Sequence, residues 1–332
     1  MKTVITYIAA TLCFFASECV SVPTLQAQTY EGYLVNETDR SKYPIWLEAQ
    51  SSGATYTGSY FYKRVGSPIQ LEGSTSDKNL VLKEIDSKGK ISGTFTITTG
   101  ALPVTGLWKD ALGKKSLKIE LYPVDPSYRT MAVIPKPEAL ILADGTTFMD
   151  NIKANSEMME SRKKGQLIKP GYLFARRGLA TLLLEWESLG AYPEYHKNGY
   201  IFDCQSLKQI MISNEISKER ANDFNALIAP KIASQLAEHW TSLDAEGRDV
   251  IRQQFEIDAN ATPKFDEMAV KSERFFNEAV LTEDGLVIMT NGFYELPHFA
   301  QAYDCVVEVT IPYKDLATYL VSSSPLMRLK DL

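Results

Sequence analysis

The sequence predicts an α+β protein: an all-β antiparallel barrel or sandwich, then an α+β domain with helices packed on an antiparallel sheet. Three observations predict it. Residues 28–125 alternate apolar and polar side chains in short segments and show almost no helical periodicity. Turn residues punctuate those segments at short, even intervals. From residue 126 onward, a stretch with apolar residues three and four apart lies among further strand-like runs. A chain of 332 residues is long enough to favour more than one core.

Residues 1–27 read as a cleavable export signal. Lys2 precedes an apolar run from Val4 to Phe15, which is too short to cross a bilayer. Pro23 breaks the run, and Leu25-Gln26-Ala27 puts a small residue before Gln28, where a signal peptidase would cut. Cys19 raises the alternative of lipid attachment, but Glu18 stands where such sites need a small residue. No later stretch reaches about 18 apolar residues, so no membrane anchor is expected after cleavage. The expected location is periplasmic or extracellular, in a bacterium.

The all-β domain spans 28–125. Its strand-like segments are YEGYLV, PIWLEAQ, ATYTGSYFYK, PIQLEG, NLVLKEID, KISGTFTI, PVTGLWK and KSLKIELYP. Ser52-Gly53, Gly66-Ser67-Pro68, Ser87-Lys88-Gly89 and Leu112-Gly113 mark the turns. Gly58, Gly93 and Gly106 fall inside strands, as in sheets that curl. Glu48, Glu72, Glu84 and Asp86 alternate with apolar neighbours and are expected to face solvent.

Tyr56, Tyr60 and Tyr62 share one face of their strand with Gly58, while Thr55, Thr57 and Ser59 take the other. Trp46 and Trp108 are expected to join this aromatic face. It is either a plain core or a lining for a glycan or small ligand, since tyrosine pairs an apolar body with a polar tip.

The second domain spans 126–332. Phe224, Leu227, Ile228, Ile232, Leu236 and Trp240 form one helix face, with Ser217 as the expected N-cap. Pro230 has no amide hydrogen, so a kink or a break into two helices is expected there. Thr262-Pro263 reads as another helix start, and a short helix near Tyr313–Leu320 closes the chain. LATLLLEW, YIFD, FFNEAVL, GLVIMT and CVVEVTIP read as strands, and Glu283-Asp284-Gly285 as a tight hairpin.

A net charge of -6 and a pI near 5.3 argue against a nucleic-acid partner. Cleavage of the signal leaves two cysteines, Cys204 and Cys305, either bridged or buried as separate thiols. Too few cysteines and histidines remain for a usual zinc site, and no metal or cofactor is expected. His239 is expected on a solvated helix face, and His196 in a polar turn. His298, between Pro297 and Phe299, is the histidine best placed for a concave loop. Nucleophile-elbow, zincin, phosphate-loop and dinucleotide fingerprints are all missing from the sequence. Carboxylates that meet only in space escape such a search.

Two blocks carry a family resemblance. Gly190, Ala191, Pro193, Phe202 and Asp203 match one. Asp284, Gly285, Tyr294, Glu295, Pro297, Ala300, Ile311, Pro312, Tyr313 and Leu316 match the other. In this order the second domain resembles the RsiV-like extracytoplasmic domain of lysozyme-responsive anti-sigma factors. The resemblance implies an α+β domain that recognises an envelope target, a lysozyme-like protein or a wall glycan. Tyr192 stands where that family has a turn histidine, and His298-Phe299 replaces a single tyrosine. The ligand-contacting candidates are thus Tyr56, Tyr60, Tyr62, Trp108, Tyr192 and His298. The expected function is exported binding without catalysis. The alternative is a cell-wall hydrolase or esterase with a site between the two domains.

Overall fold

The structure, a computed structural model, describes residues 27–76, 79–98, 101–161, 165–188, 194–269, 279–290 and 292–332. The expected export segment lies outside them, except Ala27. Eight antiparallel strands open the fold: β1 (Ala27–Val35), β2 (Lys42–Ser52), β3 (Thr55–Tyr62), β4 (Ile69–Ser76), β5 (Asn79–Ile85), β6 (Ile91–Thr98), β7 (Val104–Asp110) and β8 (Ser116–Pro123). Each pairs with its sequence neighbour, and β1 also pairs with β8, which closes an up-and-down barrel. Closure leaves the barrel no free sheet edge.

Strand parity decides what faces inward. Leu34, Ile45, Leu47, Leu71, Leu82, Phe95, Ile97, Ile119 and Leu121 are buried and form one interior cluster. Gly58 shares that parity, and a Cβ there would lie 2.0 Å from the carbonyl oxygen of Glu48. The strands coil tightly enough at this point that only glycine fits.

A second apolar cluster lies outside the barrel. Trp46 and Phe61 stack at 6.5 Å and pack with Val124 and Ala132 of the connecting segment. Asp125 caps the short helix Pro126–Met131 by accepting a bond from Ser127 N at 2.8 Å. Helix α1 (Phe148–Ser161) leads to the hairpin β9 (Gly165–Arg176) and β10 (Leu179–Ser188), and β11 (Glu194–Asp203) completes a sheet ordered β11-β10-β9. The β9–β10 turn is two residues long, Arg177 and Gly178, both at positive φ (48° and 73°), as a tight hairpin demands.

Helices α2 (Ile212–Glu215), α3 (Ala221–Ser242), α4 (Ala245–Gln254) and α5 (Phe265–Ala269) follow. They precede a second sheet of β12 (Ala279–Leu281), β13 (Leu286–Thr290) and β14 (Val307–Ile311), and then α6 (Tyr313–Leu316). Phe224, Ile228, Ile232, Leu236 and Trp240 bury the expected face of α3 in the largest cluster, with Leu227 at its margin. Leu281 and Leu286 close the expected hairpin around Glu283-Asp284-Gly285.

Three expectations change. The second part holds two three-stranded sheets rather than one, because β12 crosses the first sheet: Val280 sits over Gly199, and Leu281 N donates to Thr181 Oγ1 at 3.1 Å. Helix α3 runs unbroken through Pro230, whose i−4 partner Ala226 is exposed, so the carbonyl left without an N–H partner is not buried. Arg220, not Ser217, occupies the N-cap, while the Ser217 hydroxyl bonds Glu219.

Candidate functional site

The aromatic face of β3 points into the barrel. Tyr60 is 1% exposed and meets Phe95 edge-on at 5.0 Å and Tyr62 at 5.6 Å. Tyr56 is half-buried towards one end of the barrel, and Tyr62 and Trp108 towards the other. Trp46 does not belong to this set: its parity turns it outward, onto Phe61.

Glu84 corrects the reading of the first-half acids. It is 8% exposed and faces inward, because its parity is that of Leu80 and Leu82 while Lys83 is outside. Its Oε2 accepts bonds from Tyr60 Oη at 2.7 Å and Trp108 Nε1 at 3.0 Å, and its Oε1 accepts one from Ser92 Oγ at 2.7 Å. Burial pushes the Tyr60 hydroxyl far up, with Tyr62 and Glu84 adding to it, so Tyr60 stays a donor at any physiological pH. Burial likewise raises Tyr62. The interior therefore ends, near Trp108, in a carboxylate whose donors are all built in.

A second polar constellation lies where the barrel meets the hairpin β9–β10. Glu31 and Lys63 point outward from β1 and from the end of β3, yet their side chains are 0% and 2% exposed. Lys63 Nζ donates to Glu31 Oε2 at 2.7 Å and to Ala175 O at 2.9 Å. Arg177 N donates to the same Glu31 oxygen at 2.9 Å, which pins the positive-φ residue of the turn. Arg176 pairs with Glu31 (3.4 Å) and Glu283 (3.2 Å), and its guanidinium stacks 3.9 Å over Tyr122. Burial alone would raise the Glu31 carboxyl, but Lys63 and Arg176 outweigh it and hold the group below its usual range.

In the second part, Tyr192 lies outside the described residues. His298 opens the short helix His298–Tyr303, and its side chain is also outside them. Tyr294 is 1% exposed, and its stretch is organised by Asp304, which sequence reasoning passed over. The Asp304 carboxylate accepts backbone bonds from Tyr294 (2.7 Å), Leu296 (3.0 Å) and Cys305 (2.8 Å). His239 is not on a fully solvated face: it packs 5.9 Å from Tyr294, and burial lowers its pKa.

Cys204 and Cys305 are both free, so the bridge is not formed. Cys204 lies against Ile134, Ala175 and Ala180, whereas Cys305 is buried in the cluster beneath α3. Burial pushes each thiol up to about 12. The sequence spacing of the two residues carried no information about this separation.

A shallow groove runs between α3 and β14, lined by Pro230, Lys231, Ser234 and Gln235 on one side and Glu308 to Thr310 on the other. Gln235 occupies the strand edge as a neighbouring strand would: Glu308 N donates to its Oε1 (3.1 Å) and its Nε2 donates to Glu308 O (2.8 Å). Among the described residues, no group of three or more His, Cys, Asp or Glu is arranged to hold a metal ion.

No family model matches the chain. No curated protein matches it either. Its structural neighbours are DUF3298 family proteins, carriers of a domain of unknown function. One, from Pseudomonas aeruginosa PAO1, is 14% identical with a TM-score of 0.34, over 54% of this chain and 80% of its own. Another, from Bacteroides fragilis NCTC 9343, is 15% identical with a TM-score of 0.33, over 73% of this chain and 100% of its own.

Proposed function

We propose that the chain is an exported binding protein of the bacterial envelope, whose second part recognises a lysozyme-like protein or a wall glycan through its outer surface. The observation that carries this reading is the packed barrel interior. Leu34, Leu47, Leu82, Phe95 and Ile119 are each 0% exposed at its centre, and Glu84 is met by three internal donors. Such a barrel serves as a support, and the buried charges around Glu31 fasten the second part to it. Recognition then falls to outer surfaces. Residues 126–332 hold 22 basic and 29 acidic side chains, a balance of -7 that favours a cationic protein as partner. The matched blocks around Phe202-Asp203 and Tyr294-Glu295 support a target of the lysozyme or peptidoglycan class.

The test uses the mature chain from Gln28. It should be retained by immobilised lysozyme, with binding weakened by salt, or should co-sediment with purified peptidoglycan. Failure in both assays overturns the proposal.

A further inference from the structure

The four loops that join β1 to β2, β3 to β4, β5 to β6 and β7 to β8 share one end of the barrel, because the strands alternate in direction. That end differs in charge from the rest of the molecule. The loops of this end with their flanking residues, 36–42, 63–68, 86–90 and 110–115, hold eight basic and four acidic residues, a balance of +4 in a chain whose total is -6. Glu37, Asp39, Asp86 and Asp110 offset only part of that charge. Glu84 is turned into the barrel. Asp86 accepts backbone bonds from Lys88 and Lys90 at 2.8 and 2.9 Å, and Asp110 accepts one from Lys115 at 2.9 Å. The carboxylates thus fold the loops inward while the ammonium groups point out. Lys88, Lys90, Lys114 and Lys115 are exposed, and none forms an ion pair among the described residues.

Large apolar side chains stand among these lysines. Leu112 is 75% exposed at the tip of the β7–β8 loop, and Ile91 is 46% exposed beside Lys90. At the opposite end Leu102 is also exposed, at 71%, but residues 51–54 and 101–103 carry no charge and Asp77 and Lys78 of the sequence cancel. The hairpin packs on the outer face of β1 and reaches Tyr122 of β8 through Arg176, while the tips of the β5–β6 and β7–β8 loops stay exposed.

We propose that this end of the barrel docks on an anionic lipid bilayer surface. Lysines attract the negative surface, and Leu112 and Ile91 enter the boundary between headgroups and acyl chains. A purely charged polymer would use the lysines and gain nothing from an exposed leucine, so lipid is the occupant that both features fit. The contact is peripheral and is made by the β5–β6 and β7–β8 loop tips, because the β3–β4 loop at this end packs against the second part: Ile134 N donates to Lys63 O at 2.8 Å, and Arg64 lies 4.9 Å over the Tyr172 ring.

The experiment is co-sedimentation of the mature chain with phosphatidylcholine vesicles made with and without phosphatidylglycerol. Binding is expected only to the anionic vesicles and should fall as salt is raised. The Lys114→Glu/Lys115→Glu variant should bind on the order of 25-fold more weakly, at about fivefold for each lysine lost. The Leu112→Ser variant should also lose binding at unchanged charge. Both substitutions lie at an exposed loop tip, and unchanged circular dichroism and melting establish that each variant is folded. No binding of the parent to anionic vesicles overturns the proposal. Unchanged binding of the lysine variant overturns it as well. Full retention of binding by Leu112→Ser, with loss in the lysine variant, overturns the lipid assignment and points to a soluble polyanion.

Discussion

Replacing Lys63 by methionine tests the join between the two parts at its most buried charge. The Lys63 side chain is 2% exposed and the Glu31 side chain 0%. Methionine keeps most of the stem that lies against Trp46, where the ammonium is 5.9 Å from the ring, and removes the charge. Two bonds go with it, to Glu31 and to Ala175 O, at 2.7 and 2.9 Å. Removing one partner of a buried pair costs about 3–5 kcal/mol, because the other charge stays behind without water. Glu31 keeps Arg177 N at 2.9 Å and Arg176 at 3.4 Å, so the low end, about 3 kcal/mol, is expected. Urea unfolding at neutral pH, followed by tryptophan fluorescence, measures it. Adding Glu31→Gln to the variant should recover at least about 1 kcal/mol of the loss, since the stranded charge is then gone.

The same pair sets an acid limit. The folded Glu31 carboxyl lies below its unfolded value, so its contribution is fully present above the ordinary carboxylate range, near pH 4–5. It is lost as the pH falls through the folded value. Without Lys63 the carboxyl titrates higher, and the acid-induced loss should begin at a higher pH than in the parent. A single-variant loss under about 1 kcal/mol, or strictly additive losses in the double variant, would refute the argument.

Glu84→Gln leaves one of three donors at the barrel end without an acceptor and should cost about 1–3 kcal/mol, read as a lower melting temperature; an unchanged melt counts against the buried carboxylate. Gln235→Ala uncovers the N–H and C=O of Glu308, and light scattering should then show concentration-dependent association that the parent lacks; a variant that stays monodisperse sinks the edge-cap reading. In the chain from Gln28, Cys204 and Cys305, both raised to about 12, should resist iodoacetamide at pH 8 in the folded protein and take up two labels in urea. Fewer than two labels in urea would mean that the thiols are not free.

The barrel was legible because its strands are short, alternate cleanly and end at recognisable turns. Tyr56, Tyr60 and Tyr62 were correctly grouped on one face by parity alone, and Phe224 to Trp240 by helical spacing. The strand β9 was missed. Its segment GQLIKPGYLFAR breaks alternation with a proline and a glycine, and its pairing with β10 carries register shifts near Leu182 and Leu183. The two-sheet arrangement was equally hidden, since it depends on Val280 lying over Gly199, a contact between residues far apart in the chain.

Alternation reports which side of a strand a residue takes, and says nothing about what waits on that side. Glu31 alternates with Tyr30 and Gly32 as a solvent-facing residue would, and it does point out of the barrel. What meets it there is Lys63 and the Arg176-Arg177 turn rather than water. Glu84 fails in the opposite sense: NLVLKEI continues the parity of Leu80 and Leu82 straight into the carboxylate, so strict periodicity already assigned it inward. Treating every acid as exposed overrode that signal. Tyr60, Ser92 and Trp108, on three other strands, are donors able to satisfy a carboxylate inside a closed barrel. Tyr60 and Trp108 share the inward parity of Glu84 from strands two away on either side, and Ser92 reaches it only through the β5–β6 bulge. The partners of Glu31 come from a separate hairpin, and only the folded chain brings them together.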